Sequence, residues 1–321
     1  MNVLASGSFW AFVAVVAGIY TILALGLQLQ FGFAGLLNFG QVAFMAIGAY
    51  TMAILVVKEG WSMWLAAPLG VVAAGVGGAL LGLTTLRLRA DYFAIVTIAF
   101  SEIIRYVATN ENDLTGGSQG TIALGKVGTA SQYNGQWASF QTRVQHALGF
   151  SSSDATMLVL VWGVAIVLLT LTWLAVRTPW GRVLRSIRDD EDAAASLGKN
   201  VVAYKLQALA LGAALGGIAG LFYAWEFSFF SPTDFEPLLT FFAWMILLLG
   251  GVGRVFAVPV GALVFGLIFA GTRFLNFAPF SWFASDERAY LRLIIIGAII
   301  LLLVVLRPQG LLGKKREMVL E

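Results

Sequence analysis

The chain has 321 residues, 59% of them hydrophobic and only 12% charged, with no cysteine, a single histidine and a net charge of +3. Soluble domains carry about 25% charged residues, so a water-soluble fold would have too little polar surface to cover these apolar side chains, and an integral membrane protein is indicated. The lack of cysteine excludes disulfides, thiolate metal sites and cysteine nucleophiles, and His146 alone excludes a multi-histidine metal site.

Residues 1–8 have no basic stretch, and the apolar run that follows continues far beyond a signal peptide's core, so it reads as a retained first span. From Phe9 to Val57 there is no charge at all. A helix needs about 20 apolar residues to cross roughly 30 Å of hydrocarbon, so this length holds two spans plus a short broken or re-entrant piece. The weak point is "FGFAGLLNFGQ", residues 31–41, where Gly32, Gly35 and Gly40 surround Asn38 and Gln41. Further candidate spans are 62–84, 91–109, 155–176, 205–225, 238–252, 256–276 and 290–306. The chain is therefore an all-α polytopic membrane protein forming a single transmembrane domain over 1–321. It has nine spans, or ten if 31–41 belongs to a separate short helix.

Two polar segments interrupt the pattern: 110–154, rich in Gly, Ser, Thr and Gln, and 177–205. Cytoplasmic loops collect Lys and Arg. Arg177, Arg182, Arg185, Arg188, Lys199 and Lys205 place 177–205 inside, and Arg307, Lys314, Lys315 and Arg316 place the tail 307–321 inside. Arg87, Arg89 and Arg254 then also lie inside, and 110–154 lies outside. The N-terminus is outside with nine spans and inside with ten. Small residues recur every fourth position at Gly70, Ala74, Gly78 and Gly82 and at Gly212, Gly216 and Gly220. Such stripes let membrane helices approach closely.

No phosphate-binding G-x-x-x-x-G-K-[ST] loop or H-E-x-x-H occurs in the chain. Glu102 and Arg105, three apart on one helical face, form a local ion pair near the outer end of their span. No clear chain of ionisable groups for ion coupling stands at mid-membrane. A polytopic protein with neither a nucleotide site nor an ion relay is a passive pore, or takes its energy from another subunit.

The stretch "RSIRDDEDAAASLGKN", residues 185–200, is unlike its surroundings, with seven charges between Arg185 and Lys199. Each would cost ~2.5 kcal/mol or more in the bilayer, so the segment lies in water. Arg188 leads into Asp189, Asp190, Glu191 and Asp192, acidic residues that suit a first helical turn. Alanines and Leu197 favour helix, and Gly198 stands where a C-terminal glycine stop belongs. A short cytoplasmic helix results, separated from the preceding span by Pro179 and Gly181. Ala193, Ala194 and Leu197 form one small face that fits a groove on another protein.

"DEDAAASLG" resembles the cytoplasmic E-A-A-x-x-x-G signature of ATP-binding cassette (ABC) importer permeases, with Asp192-Ala193-Ala194 in the E-A-A places and Gly198 in the G place. "GRVLRSIRDDEDAAASLGKNVVAYKLQALALGAALGGIAGLFYA" as a whole is similar to the matching region of LivM/LivH-type permeases for branched-chain amino acids. So are "FGFAGLLNFGQVAFMAIGAYTMAIL", "LRLRADYFAIVTIAFSEIIRYV", "LTGGSQG", "LLLGGVG" and "LRPQGLLG", in family order. The L-R-L-R-x-D-Y and L-R-P-Q-G-L-x-G stretches favour the LivM-like half. The resemblance implies a multi-pass subunit of the bacterial inner membrane, itself not an enzyme and without cofactor or nucleic-acid partner. It would pair with a LivH-like permease, two cytoplasmic ATPases holding ATP and Mg, and a periplasmic binding protein. The helix at 188–198 would be the coupling helix.

Gly32, Gly35, Asn38, Gly40 and Gln41 are the best candidates for a substrate pathway, because a broken helix exposes polar backbone where it lines protein or water. The alternative is that these glycines and amides serve helix packing. Thr115, Gly116 and Gly117 are placed at the outer gate or docking surface. Related permeases also carry urea, short amides and other neutral amino acids, and a stand-alone secondary transporter or channel is the competing class.

Overall fold

The computed structural model describes residues 7–121, 132–149 and 152–272, with 294, 297, 298, 301, 302, 305 and 310–312. Among them no strand occurs. The helices longer than one turn are α1 (Gly7–Leu27), α2 (Gln41–Val57), α3 (Met63–Thr85), α4 (Ala90–Asn110), α5 (Gln132–Leu148), α6 (Ser153–Arg177), α7 (Pro179–Asp189), α8 (Glu191–Ser196), α9 (Val201–Phe227), α10 (Pro237–Gly250) and α11 (Ala257–Thr272). Helix α1 runs on through a π-helical turn, Gln28–Phe33. Among the described residues five helices are long and apolar enough to cross a membrane, and α2, α10 and α11 supply shorter apolar ones. Residues 35–40 are not helical, so 31–41 does not make a span of its own. The span expected at 290–306 and most of the tail lie outside the described residues.

Helix α9 is the hub. It packs along α2 and α3 and backs onto α1, and two-thirds (67%) of its most apolar stretch is buried within the chain. In lipid there is no hydrophobic drive between helices, so dispersion at close range must hold them. The small-residue stripes provide that range. A Cβ on Gly220 would stand 2.0 Å from the Met45 carbonyl oxygen, and one on Gly78 would stand 2.4 Å from Ala213 Cβ. The outward sides of α3 and α6 carry exposed apolar residues such as Leu69, Val76, Leu83, Ile166 and Leu171, as lipid-facing surfaces do.

Charges sort to the two ends. Arg177, Arg185 and Arg254 line one cleft of about 350 Å³ beside Leu312, and Arg254 Nη1 donates to the Leu312 carbonyl. At the opposite end Lys58 donates to the Asp113 carbonyl at 2.5 Å. The first is called here the basic end.

The polar segment 110–154 is not simply a loop, because it contains α5. Trp137 on α5 is buried and stacked on Trp225 with ring centres 4.3 Å apart, and Phe140 meets Trp64 edge-on. Gln136 Oε1 accepts the Met63 N–H at 2.7 Å, satisfying one donor at the start of α3. Polar composition masked a helix that buries its aromatic side across the bundle's end.

Substituting Gly220→Leu will cost ~2 kcal/mol or more through overpacking, lowering the thermal midpoint and the monodisperse yield of purified protein. Gly163→Leu on α6, where a Cβ meets nothing within 4 Å, will leave both unchanged.

Candidate functional site: a broken helix tied to a charged hairpin

The break begins where α1 loosens. In the π-turn, Gln28, Gln30 and Phe33 are buried, and a Cβ on Gly32 would stand 2.9 Å from the Gln28 side chain. The helix stops at Gly35, whose φ of 71° is left-handed. The Leu36 N–H, which one more α-helical turn would send to Gly32 O, donates instead to Gln30 O at 3.0 Å. Extended chain then leads back into the bundle to Gly40, where α2 starts. Thr97, seven residues into α4, touches this point, so α2 begins about 10 Å inside the basic end.

The re-entering backbone is held by a knot of side chains with no solvent exposure: Gln30, Asn38, Gln41, Thr97 and Thr240. Asn38 Nδ2 donates to Gln30 Oε1 at 2.8 Å and to Gln41 Oε1 at 3.1 Å. Asn38 Oδ1 accepts the Gly40 N–H at 2.8 Å. Gln41 Nε2 donates to Gly212 O at 2.8 Å, and Gln30 Nε2 to Leu209 O at 3.2 Å. Thr97 Oγ1 accepts the Phe39 N–H and Thr240 Oγ1 the Val42 N–H, both at 3.0 Å. Trp244 Nε1 donates to Asn38 O at 2.9 Å. Gly26 and Gly212 open the space, since a Cβ on either would stand 2.4 Å from a glutamine Nε2 of the knot. Every polar atom of the Asn38 and Gln41 side chains is thus engaged by protein. In this conformation they fasten the break and leave no unpaired group for a solute.

The charged segment is a hairpin of two helices. Pro179 opens α7 at a position where a missing N–H costs nothing, and α7 buries Gly181, Leu184 and Ile187. Asp190 breaks it, so the single helix expected over 188–198 is divided: Gly181, Arg188 and Asp189 belong to α7, and Asp190 caps α8, its Oδ1 accepting the Ala193 N–H at 2.9 Å. Gly198, with φ of 78°, ends α8. Its N–H donates to Ala195 O at 2.9 Å and that of Lys199 to Ala194 O at 3.2 Å, the double bond of a left-handed stop. One expectation needs correcting. Ala193, Ala194 and Leu197 do not share an outward face, because Ala194 is buried against Ile187 and Val201. Outward stand Leu197, 79% exposed, with Asp192 and Ala193. Lys205 pairs with Glu191, clasping the hairpin to α9.

The hairpin and the break meet. Arg188 Nη1 donates to Gly32 O at 2.7 Å, replacing the donor lost when the helix stops. A Cβ on Gly35 would stand 3.5 Å from Arg188 Cα. Arg188 is in turn held by Asp189 at 3.1 Å. Beneath this junction a cavity of about 540 Å³ is lined by residues of the break, of the α3–α4 turn including Arg87 and Arg89, and of the hairpin.

Of the residues expected to line a pathway, Gly32 and Gly35 lie against the hairpin and Asn38, Gly40 and Gln41 in the knot. Thr115, Gly116 and Gly117 are not with them. They form a tight turn beyond α4, where Thr115 Oγ1 donates to Ala108 O at 2.6 Å. Gln30, Thr97, Thr240 and Trp244 were missed by the sequence reading. Two glutamines in an uncharged span, "LQLQ", were the available signal for the first; the others come from distant helices. Glu102 and Arg105 pair as expected, at 2.6 Å, but near the middle of α4 rather than near its outer end. Such a pair contributes about 0.2–0.5 kcal/mol to a helix, far less than the ~2.5 kcal/mol or more that each charge costs to insert near a helix centre.

Apolar spans closed around one broken helix, with a capped, charged hairpin bonded to the break, define a multi-pass membrane permease subunit. The chain belongs to the family described as "Branched-chain amino acid transport system / permease component", whose profile matches residues 9–304. It is 33% identical over 314 residues to the high-affinity branched-chain amino acid transport system permease protein LivM of Escherichia coli and to that of Salmonella typhimurium, covering 95% of this chain and 70% of each relative. It is 26% identical to the E. coli LivH permease protein over 92% of this chain and 91% of that one. No solved structure matches it.

Replacing Asn38 by Leu will strand the Gly40 N–H and two glutamine oxygens, at ~1–3 kcal/mol for each buried group. The purified protein should lose several degrees of thermal midpoint, whereas Thr84→Val on the exposed side of α3 should not.

Proposed function

We propose that this chain is the LivM-like permease half of an ATP-driven importer of branched-chain or closely related amino acids in the bacterial inner membrane. Its partners are a LivH-like permease, two cytoplasmic ATPases that carry ATP and Mg, and a periplasmic binding protein that delivers the substrate. The names and identity levels of the relatives support the substrate class. The absence of a phosphate-binding loop from the sequence supports placing the motor in another chain.

The observation that carries the mechanism is the Arg188–Gly32 bond. Helix α8 is capped at both ends and anchored by Ala194 and Lys205, so it moves as a rigid lever with α7. Leu197 and Asp192 project from it to meet the ATPase. When the ATPases close, force on α8 reaches Arg188 and pulls on the carbonyl at which α1 stops. The break then shifts against the knot, and α2, which starts from the knot, tilts with it. Thr115–Gly117 contribute to the docking surface at the far end.

The test is reconstitution of the complete complex in proteoliposomes. Leucine uptake should require ATP and the binding protein; uptake by this chain without ATPases would overturn the proposal. Arg188→Ala removes a charge-assisted bond worth ~1.5–3 kcal/mol and should cut uptake at least ~10-fold while ATP hydrolysis continues. Leu197→Asp should uncouple in the same way and leave the thermal midpoint of the purified chain unchanged.

A further inference from the structure

Helix α4 is the least enclosed of the long spans, with 22% of its most apolar stretch buried within the chain. Its outward side shows Tyr92, Ile95, Ile103 and Tyr106, all more than half exposed. On the shoulder of that side lie Glu102 and Arg105, with side chains 28% and 18% exposed. Glu102 is eight residues, or about 12 Å, from the outer end of α4, too deep for its short side chain to reach the interface. Ionised groups at such depth mark pathways for solutes more often than lipid-facing surface.

The position relative to the break is specific. Helix α4 holds the break through Thr97, and α10 holds it through Thr240 and Trp244. The two helices therefore flank Phe39, whose ring stacks on Trp244 at 4.9 Å and meets Phe241 at 5.4 Å. Phe241 is 40% exposed. The ion pair stands five residues, about 7.5 Å, along α4 from Thr97, which is close to the length of an amino acid. At the head of α10, the Glu236 carboxylate is near enough to Arg105 to act on it electrostatically.

Arg105 uses Nε and Nη2 on Glu102 and lies 4.8 Å over the Tyr106 ring. Its Nη1 bonds to no described residue. We propose that Glu102 and Arg105 form a binding station for the zwitterionic head of the transported amino acid, above an apolar shelf made by Phe39 and Phe241. The substrate carboxylate takes Arg105 Nη1, and its ammonium takes the outer lone pairs of Glu102. Four alternating charges then neutralise one another where the dielectric constant is low, and the branched side chain lies on the aromatic shelf. This inference rests on the amino-acid permease reading above.

The experiment uses the full complex in proteoliposomes, comparing wild type with Glu102→Gln, Arg105→Gln and the double variant. Leucine uptake should fall at least ~10-fold in each single variant, and the thermal midpoint should be retained in the double variant. The double variant, which leaves no unpaired charge, should stay impaired. Uptake restored to wild type in the double variant would overturn the inference and make the pair purely structural. Wild-type complex that carries no branched-chain amino acid would instead defeat the underlying permease reading. Because the chain has no cysteine, Phe241→Cys gives a second measurement. A membrane-impermeant thiol reagent added outside should label it, and leucine-loaded binding protein should slow the labelling. Absence of labelling, or of protection, counts against the shelf.

Discussion

A helix can be interrupted inside a membrane only if the protein satisfies the backbone groups that the interruption frees. The arrangement around residues 35–42 follows from that constraint. Asn38 serves its own loop through Gly40 N–H and joins two glutamines, one on each side of the break. Those glutamines are anchored on carbonyls of α9, and threonines from α4 and α10 take the two remaining N–H groups described above. The knot thus ties five helices at one depth, so that none can shift there without disturbing the others.

Glycine does a different job on each side of this point. At Gly212 the missing side chain lets a carbonyl inside a regular helix face Gln41, so a second partner reaches a group already in the helical ladder. At Gly35 the issue is conformation, since a positive φ is needed to turn the chain back. In the sequence both are glycines among apolar residues, and the dihedral separates their roles.

What the sequence disclosed was local. Apolar runs marked the described spans, the Gly- and amide-rich stretch marked the break, and the alanines before Gly198 marked a capped rod, though not that Asp190 divides the acidic run between two helices. Each is a property of neighbours within a turn or two. What it hid was non-local or partial. Thr97, Thr240 and Trp244 are ordinary residues of apolar helices until folding aims them at the break. Helix α5 was concealed because its buried side is mostly aromatic and its composition polar. Ala194 was placed outward because spacing alone cannot tell which side of a six-residue helix faces its own chain; Ile187 and Val201 decide that.

The Arg188 contact also completes the end of the first helix, where the last carbonyls lose their intrahelical partners. Continuing α1 would give Gly32 O to the Leu36 N–H, but that N–H is taken by Gln30 O. Arg188 fills the vacancy from outside the helix, with a charged donor stronger than a peptide N–H. Gly32 O therefore has two possible donors, one belonging to the helix and one to the hairpin, and it cannot accept the first without reshaping the turn. Gln28, buried in the same turn with neither amide atom bonded to a described residue, gives the π form an added cost. The stop is fixed from several sides, by the positive φ of Gly35, by the Leu36–Gln30 bond and by the knot, and Arg188 is the partner that the hairpin adds to them.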